Sequence, residues 1–296
     1  MNTEKNTYKT ILSKAVKSHY WFDYDYNMNL YRGCSHGCIY CDSRSACYGI
    51  IDFEKIIVKD DALEILEAEL SRKRKSSIIG VGSMSDPYNP REETEMITRG
   101  ALKLIEKYGH GIIIMTKSTL MSRDIDLFKK INKTQPVICM ISISTMDDEL
   151  AKQIEPNVSK PSERLKAIEE LSESGIVTGV LLMPTLPFLT DSSENIIDAV
   201  NSAKEAGARF IYPSFGVTLR GNQRNYYYEK LNEKFPGVKD KYNEKFGEKY
   251  YCGSINTDEL RKVLIKRAEE LEIDYEISKI NKKHLRSQRD TQLSFF

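Results

Sequence analysis

The sequence predicts an α/β protein, a parallel sheet wrapped by helices and curved into a partial, TIM-like (β/α)6 barrel with a C-terminal extension. Two observations carry this expectation. Apolar, strand-like runs recur at 77–82, 111–116, 137–144, 176–183 and 208–214, after a shorter one at 27–32. Helical segments fall between the later runs, around 94–108, 124–132, 162–174 and 192–206. Strands that are apolar on both faces need helices on both sides, which parallel strand–helix–strand units provide. Six such strands suit an incomplete barrel. Periodicity does not fix strand order, so an open doubly wound sheet is the alternative at this point.

Taken in order, residues 1–26 are polar and tyrosine-rich with a lone Trp21, and are expected to form an N-terminal flap. The first strand covers 27–32. Asp60-Asp61 is placed to cap a helix with Leu63, Leu66 and Leu70 on one face. That helix ends in Arg72-Lys73-Arg74-Lys75, which reads as a solvated C-terminal turn favoured by the helix dipole. Asp191-x-x-Glu194 makes a second N-terminal cap, and Gly175 and Gly207 sit where helices end in a glycine. The alternation stops near 215. Residues 216–256 are rich in aromatics and glycine, and precede a helix at 257–272, a strand-like piece at 274–278 and a basic tail. The expected division is a flap at 1–26, a core at 27–220 and an extension at 221–296.

Composition narrows the function classes. With 40% hydrophobic and 29% charged residues, the 296-residue chain has ordinary globular composition, long enough for one large α/β domain or two small ones. A net charge of +1 gives the molecule no long-range preference for nucleic acid or membrane, so basic surface must be local. No apolar run approaches the ~18 residues of a membrane helix, and the polar start does not read as a signal peptide. Six cysteines, three of them clustered, point to metal binding in a reducing cytoplasm rather than to a disulfide scaffold.

The chemistry centres on Gly33-Cys34-Ser-His-Gly37-Cys38-Ile-Tyr40-Cys41, directly after the first strand. A loop this tight can turn three thiolates onto one centre, with Gly33 and Gly37 supplying backbone freedom. Thiolates suit zinc or iron–sulfur clusters. A four-iron cluster normally takes four cysteines, so three leave one iron open. The bland alternative is a zinc knuckle with Cys47 as fourth ligand, but closed zinc sites generally use two close pairs of ligands. The C-x3-C-x2-C spacing, with Tyr40 just before the last cysteine, resembles the radical S-adenosylmethionine (radical SAM) superfamily. There the open iron chelates the amino and carboxylate groups of the methionine moiety.

Polar residues recur at the strand ends, where parallel barrels collect function. They are Ser83, Ser85 and Asp86 after the second strand, Thr116-Lys117-Ser118 after the third, Ser142 and Ser144 after the fourth, and Met183-Pro-Thr after the fifth. Together they can hold a zwitterion plus a nucleoside. Lys117 neutralises a carboxylate, Asp86 and the serines accept from an ammonium and a ribose, and the apolar end at Met183 flanks an adenine. For any one of them, turn or cap chemistry is the competing explanation.

The cysteine loop, Ser85-Asp-Pro-Tyr-Asn-Pro90, Thr116-Lys-Ser118, Arg123-Asp-Ile-Asp126, Glu155-Pro156 and Arg164-Leu165 together resemble the spore photoproduct lyase-like branch of that superfamily, over about 27–220. The resemblance implies a [4Fe-4S] cluster on Cys34, Cys38 and Cys41. The expected S-adenosylmethionine (SAM) site is Tyr40, Ser83, Ser85, Asp86, Lys117, Ser142, Ser144 and Met183, of which the resemblance itself implies Lys117, on the SAM carboxylate, and Ser142. Reductive cleavage of SAM would then give a 5′-deoxyadenosyl radical that abstracts hydrogen from a substrate. Ser83 stands where the lyase has its catalytic cysteine, and an alcohol is a poor hydrogen-atom donor. Cys47, Cys139 or Cys252 are the thiols left for that role, against a default of inert buried thiols; Tyr251 and Cys252 are the expected catalytic residues.

Tyr226-Tyr-Tyr228 and Tyr250-Tyr-Cys252, near Arg220 and Arg224, can grip single strands or flipped bases, or simply pack a subdomain on the barrel; packing is favoured. The favoured function is a cytoplasmic radical SAM enzyme acting on nucleic acid, in DNA repair or modification. A peptide or small-metabolite enzyme, and a non-catalytic metal-binding protein, are the alternatives. The expected partners are a flavodoxin- or ferredoxin-type reductant, DNA, and the bacterial β sliding clamp. The last is suggested by Gln292-Leu293-Ser294-Phe295-Phe296, which resembles a clamp-docking peptide at the end of a mobile tail spanning 281–291.

Overall fold

The structure is a computed structural model describing residues 8–59 and 61–286. In chain order its strands are β1 (Leu12–Lys14), β2 (Tyr26–Met28), β3 (Tyr31–Arg32), β4 (Ile57–Val58), β5 (Ile78–Val81), β6 (Gly111–Thr116), β7 (Val137–Ser142), β8 (Val177–Leu182), β9 (Phe210–Pro213), β10 (Gly216–Thr218) and β11 (Tyr251–Gly253). Its helices are α1 (Ala62–Ser71), α2 (Glu92–Glu95), α3 (Ile97–Lys107), α4 (Ile125–Asn132), α5 (Asp148–Ile154), α6 (Pro161–Glu173), α7 (Ser193–Glu205), α8 (Gly221–Lys234), α9 (Val238–Phe246), α10 (Thr257–Glu270) and α11 (Ile277–Asn281).

One seven-stranded sheet runs β1-β2-β5-β6-β7-β8-β9. From β2 to β9 all pairs are parallel, and β1 is added antiparallel at the edge. The six parallel strands are those expected from the apolar runs, in sequential order. That order excludes the doubly wound alternative and gives a partial barrel whose terminal strands β1 and β9 do not pair. Every residue of β6 and β7 is buried, with the two faces doing different work. Ile112, Ile114, Cys139 and Ile141 face the helices, while Ile113, Met115, Ile138 and Met140 face inward.

Residues from early and late in the described chain fill the interior. Phe22 and Tyr24 enter it from the N-terminal side, Ile280 and Leu285 from the C-terminal side. Gly80 and Gly179 leave room for this packing. A Cβ on Gly80 would lie 2.7 Å from the Tyr24 ring, and one on Gly179 2.1 Å from the Phe210 ring. Residues 12–24 are therefore an edge strand and a plug rather than a flap. Asn281 completes the closure, its Oδ1 accepting from Asp23 N at 3.2 Å and its Nδ2 donating to Trp21 O at 3.1 Å. The start of the expected mobile tail, residues 281–285, is thus packed against the plug, with Asn281, His284 and Leu285 buried. Residues 292–296 lie outside the described residues.

Other local expectations change for identifiable reasons. The 27–32 run splits after Met28, because Tyr31 and Arg32 leave the barrel to pair with β4 and close the cysteine loop. Asp61 precedes α1 in a left-handed conformation and makes no side-chain cap. Ser192 rather than Asp191 caps α7, accepting from Asn195 N, while Asp191 accepts from Ile255 N at 2.9 Å. Residues 274–278 make one parallel bridge, Asp274 to Phe210, before the chain turns helical at Ile277. Gly175 and Gly207 do take the expected left-handed conformation, with φ of 80° and 78°.

Beyond β9, β10 and β11 form a two-stranded ribbon enclosing α8 and α9. Its core joins Val217, Leu219, Tyr227, Tyr242 and Cys252 to Ile39 and Tyr40 of the cysteine loop. Arg224 donates to four backbone carbonyls, those of Leu219, Gly247, Glu248 and Lys249, at 2.8–3.1 Å. Tyr227 and Tyr228 are buried, so this aromatic–arginine cluster is packing, as favoured. No helix among the described residues is long and apolar enough to cross a membrane.

Candidate active site

The cysteine loop is built from three sides. At its start, Cys34 N donates to Phe53 O at 2.8 Å. Gly33, at φ 82°, passes so close to the returning strand that a Cβ would sit 2.6 Å from Lys55 O, so any side chain there meets both the positive φ and a backbone atom. At the middle, Ile39 N donates to Ile154 O at 3.0 Å, Asn157 N to His36 O at 3.1 Å, and Asn157 Nδ2 to Ser35 O at 2.9 Å.

Behind that contact lies a buried network. Arg164, 1% exposed, donates to Ser142 O at 2.8 Å, Ser159 O at 2.7 Å and Glu155 Oε2 at 2.5 Å. Glu155 also accepts from the Tyr40 hydroxyl and, at 3.2 Å, from Ser144 Oγ. Burial alone would raise the Glu155 carboxyl, but Arg164 and Lys117 hold it below the usual range, while burial and Glu155 push the Tyr40 phenol well up. The Glu155-Pro and Arg164-Leu motifs thus brace the loop against the end of β7.

The third side is the extension. The first turns of α8 and the ribbon before it grip residues 40–48. Gln223 Nε2 donates to Tyr40 O at 3.0 Å, Asn222 Nδ2 to Arg44 O at 3.1 Å, and Ala46 N to Asn222 Oδ1 at 2.7 Å. Asp42, next to Cys41, accepts from Arg220 at 2.5 Å, Tyr48 at 2.8 Å and Thr218 at 3.0 Å. The Arg44 guanidinium lies 3.9 Å over the Tyr226 ring.

Cys34, Cys38 and Cys41 line one cavity of about 380 Å³ at the C-terminal ends of the strands, within the size range of small-molecule sites. Cys47 is exposed and does not line it, which removes the fourth zinc ligand. Among the described residues no three histidine, cysteine or carboxylate side chains gather to hold a single metal ion. Burial pushes all three thiols up, Cys34 to about 12 with Asp86 adding to the effect. Burial raises Cys139 and Cys252 in the same way, so it is the shared cavity that sets Cys34, Cys38 and Cys41 apart as a donor set.

The strand-end residues divide. Tyr40, Ser83, Asp86, Lys117, Ser142, Met183 and Tyr251 line the same cavity; Ser85, Ser144 and Cys252 do not. Ser85 is buried beneath its loop, and Ser144 is 1% exposed and bonded to Tyr40, Glu155 and Met183 O. Cys252 is fully buried among the ribbon's apolar side chains, because alternation along β11 turns it away from the side that Tyr251 faces. Cys252, expected to be catalytic, is therefore out of reach of anything bound in the cavity. Cys139 is equally buried, in β7.

Asp86 differs from expectation in kind. A carboxylate offers about four lone-pair sites. Here Thr116 Oγ1 donates at 2.5 Å, Lys117 N at 2.9 Å and Tyr88 N at 2.9 Å, and His36 Nε2 stands 3.1 Å away at ion-pair distance but outside hydrogen-bond alignment. Burial raises the carboxyl, yet His36, Thr116 and the Lys117 amide bring it down to about 2. Asp86 fastens the third strand end to the cysteine loop rather than holding an acceptor ready for an ammonium. Its loop is anchored by Tyr88, whose hydroxyl donates to buried Asp124 at 3.1 Å, itself paired with Arg99 and Arg123. The Arg123-Asp124 motif is this anchor.

Lys117 shows the opposite. Its ammonium makes no hydrogen bond or ion pair among the described residues; it stands 5.8 Å from the Tyr40 ring and acts on Glu155 only through its field. A lysine aimed into a cavity without a protein partner fits an anionic ligand. Trp21, His36 and Thr218 also line the cavity and were not singled out as site residues. His36 sits inside the motif, and Thr218 reaches the site only through the fold of the extension.

A parallel barrel with three thiols at the end of its first strand defines a class, and residues 28–210 match the Radical SAM superfamily model. The chain belongs to this superfamily, and its cofactors are a [4Fe-4S] cluster and SAM. Among relatives, an uncharacterised protein of Mycobacterium tuberculosis H37Rv is 30% identical over 227 residues, covering 74% of this chain. This chain spans just under two thirds, 66%, of that relative. An uncharacterised protein of Methanocaldococcus jannaschii is 29% identical over 246 residues, covering 81% of this chain and 88% of its own. The radical SAM Nalpha-GlyT isomerase of Pseudomonas phage M6 is 25% identical over 154 residues, 52% of this chain and 32% of its own. In fold, the chain is similar to spore photoproduct lyase complexed with dinucleoside spore photoproduct, with a TM-score of 0.62, 15% identity, and coverage of 91% of this chain and 86% of that one.

Proposed function

We propose that this radical SAM enzyme abstracts hydrogen from a nucleic-acid substrate, in DNA repair or modification. One observation carries the site assignment: the thiols of Cys34, Cys38 and Cys41 line one cavity at the strand ends together with Lys117, whose ammonium makes no hydrogen bond or ion pair among the described residues. When bound, the cluster and SAM supply a 5′-deoxyadenosyl radical. Cys34, Cys38 and Cys41 would hold the cluster, leaving an iron for the methionine moiety. Lys117 would pair with the SAM carboxylate, with Ser142 and Ser83 offering hydroxyls and Met183 an apolar surface to the nucleoside. Glu155, Arg164 and the α8 contacts keep the loop in place and exclude water behind it.

The substrate class is supported by the fold shared with a lyase whose structure holds a dinucleoside lesion. Ser83 at the lyase cysteine's position argues against the same lesion. Among the described residues no thiol besides the cluster set lines the cavity, so Tyr251 is the residue we assign to the substrate side. Docking of residues 292–296 on the β sliding clamp would bring the enzyme to DNA. The experiment is 5′-deoxyadenosine release by anaerobically reconstituted protein against pools of damaged DNA, RNA and peptides. Stimulation by a nucleic-acid pool supports the reading; stimulation by peptides alone replaces it.

A further inference from the structure

We propose that Trp21 and Tyr251 form a subsite for an uncharged nucleobase; this rests on the nucleic-acid reading above and specifies which part of the substrate enters. Both rings line the cavity that holds Cys34 and Lys117, yet both lie outside the matched residues 28–210.

Each ring is fixed in place. The Trp21 carbonyl accepts from Asn281, and its ring stands edge-on to Phe22 and Tyr212, with centroids 5.3 and 5.8 Å away. The Tyr212 hydroxyl donates to Tyr20 O at 2.7 Å, tying the same turn to β9. Tyr251 donates its hydroxyl to Phe215 O at 2.6 Å, and its ring lies across Gly216, where a Cβ would come within 2.7 Å of it. Half of Tyr251 nevertheless stays exposed, at 50%. Pinned aromatic side chains with open surface are what a stacking base requires, because little freedom is lost on binding.

The charges indicate what enters. Lys117 is the only lysine or arginine lining the cavity among the described residues, and the carboxylate of the cofactor would occupy it. Asp42 is engaged by Arg220, Tyr48 and Thr218, and Asp86 by the groups given above. A phosphate drawn inside would meet two carboxylates and no free cation. The cavity thus suits a neutral flat group, with the phosphodiester backbone remaining outside.

The chain has one tryptophan, so 5-fluorotryptophan labels position 21 alone. In cluster-loaded, SAM-saturated protein, deoxynucleosides and a short single-stranded oligodeoxynucleotide should shift the single fluorine resonance. Oligonucleotide affinity, measured separately by anisotropy, should fall roughly 5- to 100-fold in Tyr251→Ala and in Trp21→Ala, as for loss of one stacked base, and fall less in Tyr251→Phe, which keeps the ring and loses only its bond to Phe215 O. The half-exposed position 251 serves if Trp21→Ala fails to fold. A resonance moved by SAM alone and no further by nucleosides would assign the rings to the cofactor and overturn the proposal; so would a response to aromatic peptides only. Oligonucleotide binding that ignores both the label and Tyr251→Ala sinks the subsite while the nucleic-acid reading stands. No oligonucleotide binding at all removes both.

Discussion

Lys117→Ala isolates the step in which this chain recognises its cofactor. The ammonium makes no hydrogen bond or ion pair among the described residues, so its removal breaks no direct contact, and Arg164 remains the bonded partner of Glu155. The backbone amide of residue 117 still donates to Asp86 at 2.9 Å, so the strand end keeps its anchor. A hydrogen bond to a charged group contributes about 1.5–3 kcal/mol, which corresponds to roughly a 10- to 150-fold change in affinity. Calorimetry of SAM binding to cluster-loaded protein should therefore show a dissociation constant raised by that factor. Iron content should be unchanged and the thermal midpoint little altered, since the Arg164–Glu155 pair stays intact. Lys117→Arg should recover part of the affinity. Unchanged SAM affinity in the alanine variant would refute the assignment, and a fall in iron content would show that Lys117 serves the loop instead.

Gln223→Ala strips Tyr40 O of a buried donor, at about 1–3 kcal/mol, so iron should leave this variant faster under a chelator than from wild type; equal release rates would remove the clamp role of α8. Glu155→Gln leaves Arg164 buried without a counter-charge, an expected loss of about 3–5 kcal/mol at neutral pH. Because the folded Glu155 carboxyl is depressed, its contribution is present above its ordinary value of 4.5 and fades as pH falls below it. The stability gap between wild type and variant, by denaturant titration, should therefore narrow on acidification; a gap independent of pH contradicts the pairing. A peptide of residues 285–296 should bind the β sliding clamp at micromolar affinity and lose binding with Phe296→Ala, and absence of binding by peptide and whole protein would remove that partner.

The six strands were legible because apolar runs on both faces have few other uses, and the cysteine loop because its ligands are close in sequence. What escaped depends on distant partners. The plug at residues 20–24 is held by Asn281, 258 positions from Asp23 in one of its bonds. The grip of α8 on the loop spans 176–183 positions. Neither has a local signature, and a polar N-terminus with one tryptophan reads as a flap until its partners are known. Asp86 and Cys252 failed differently. The sequence places Asp86 at a strand end without showing that four protein groups already address it. Alternation along β11 separates Tyr251 from Cys252, but its phase is set by pairing with β10.

Radical generation in this protein depends most directly on three cysteines leaving one iron open. Anaerobically reconstituted wild type should carry about four irons per chain and release 5′-deoxyadenosine from SAM under a strong reductant. Single alanine variants at Cys34, Cys38 and Cys41 should lose both, while Cys47→Ala keeps both. Loss of the cluster in Cys47→Ala, or a full iron complement that never yields 5′-deoxyadenosine, would contradict it.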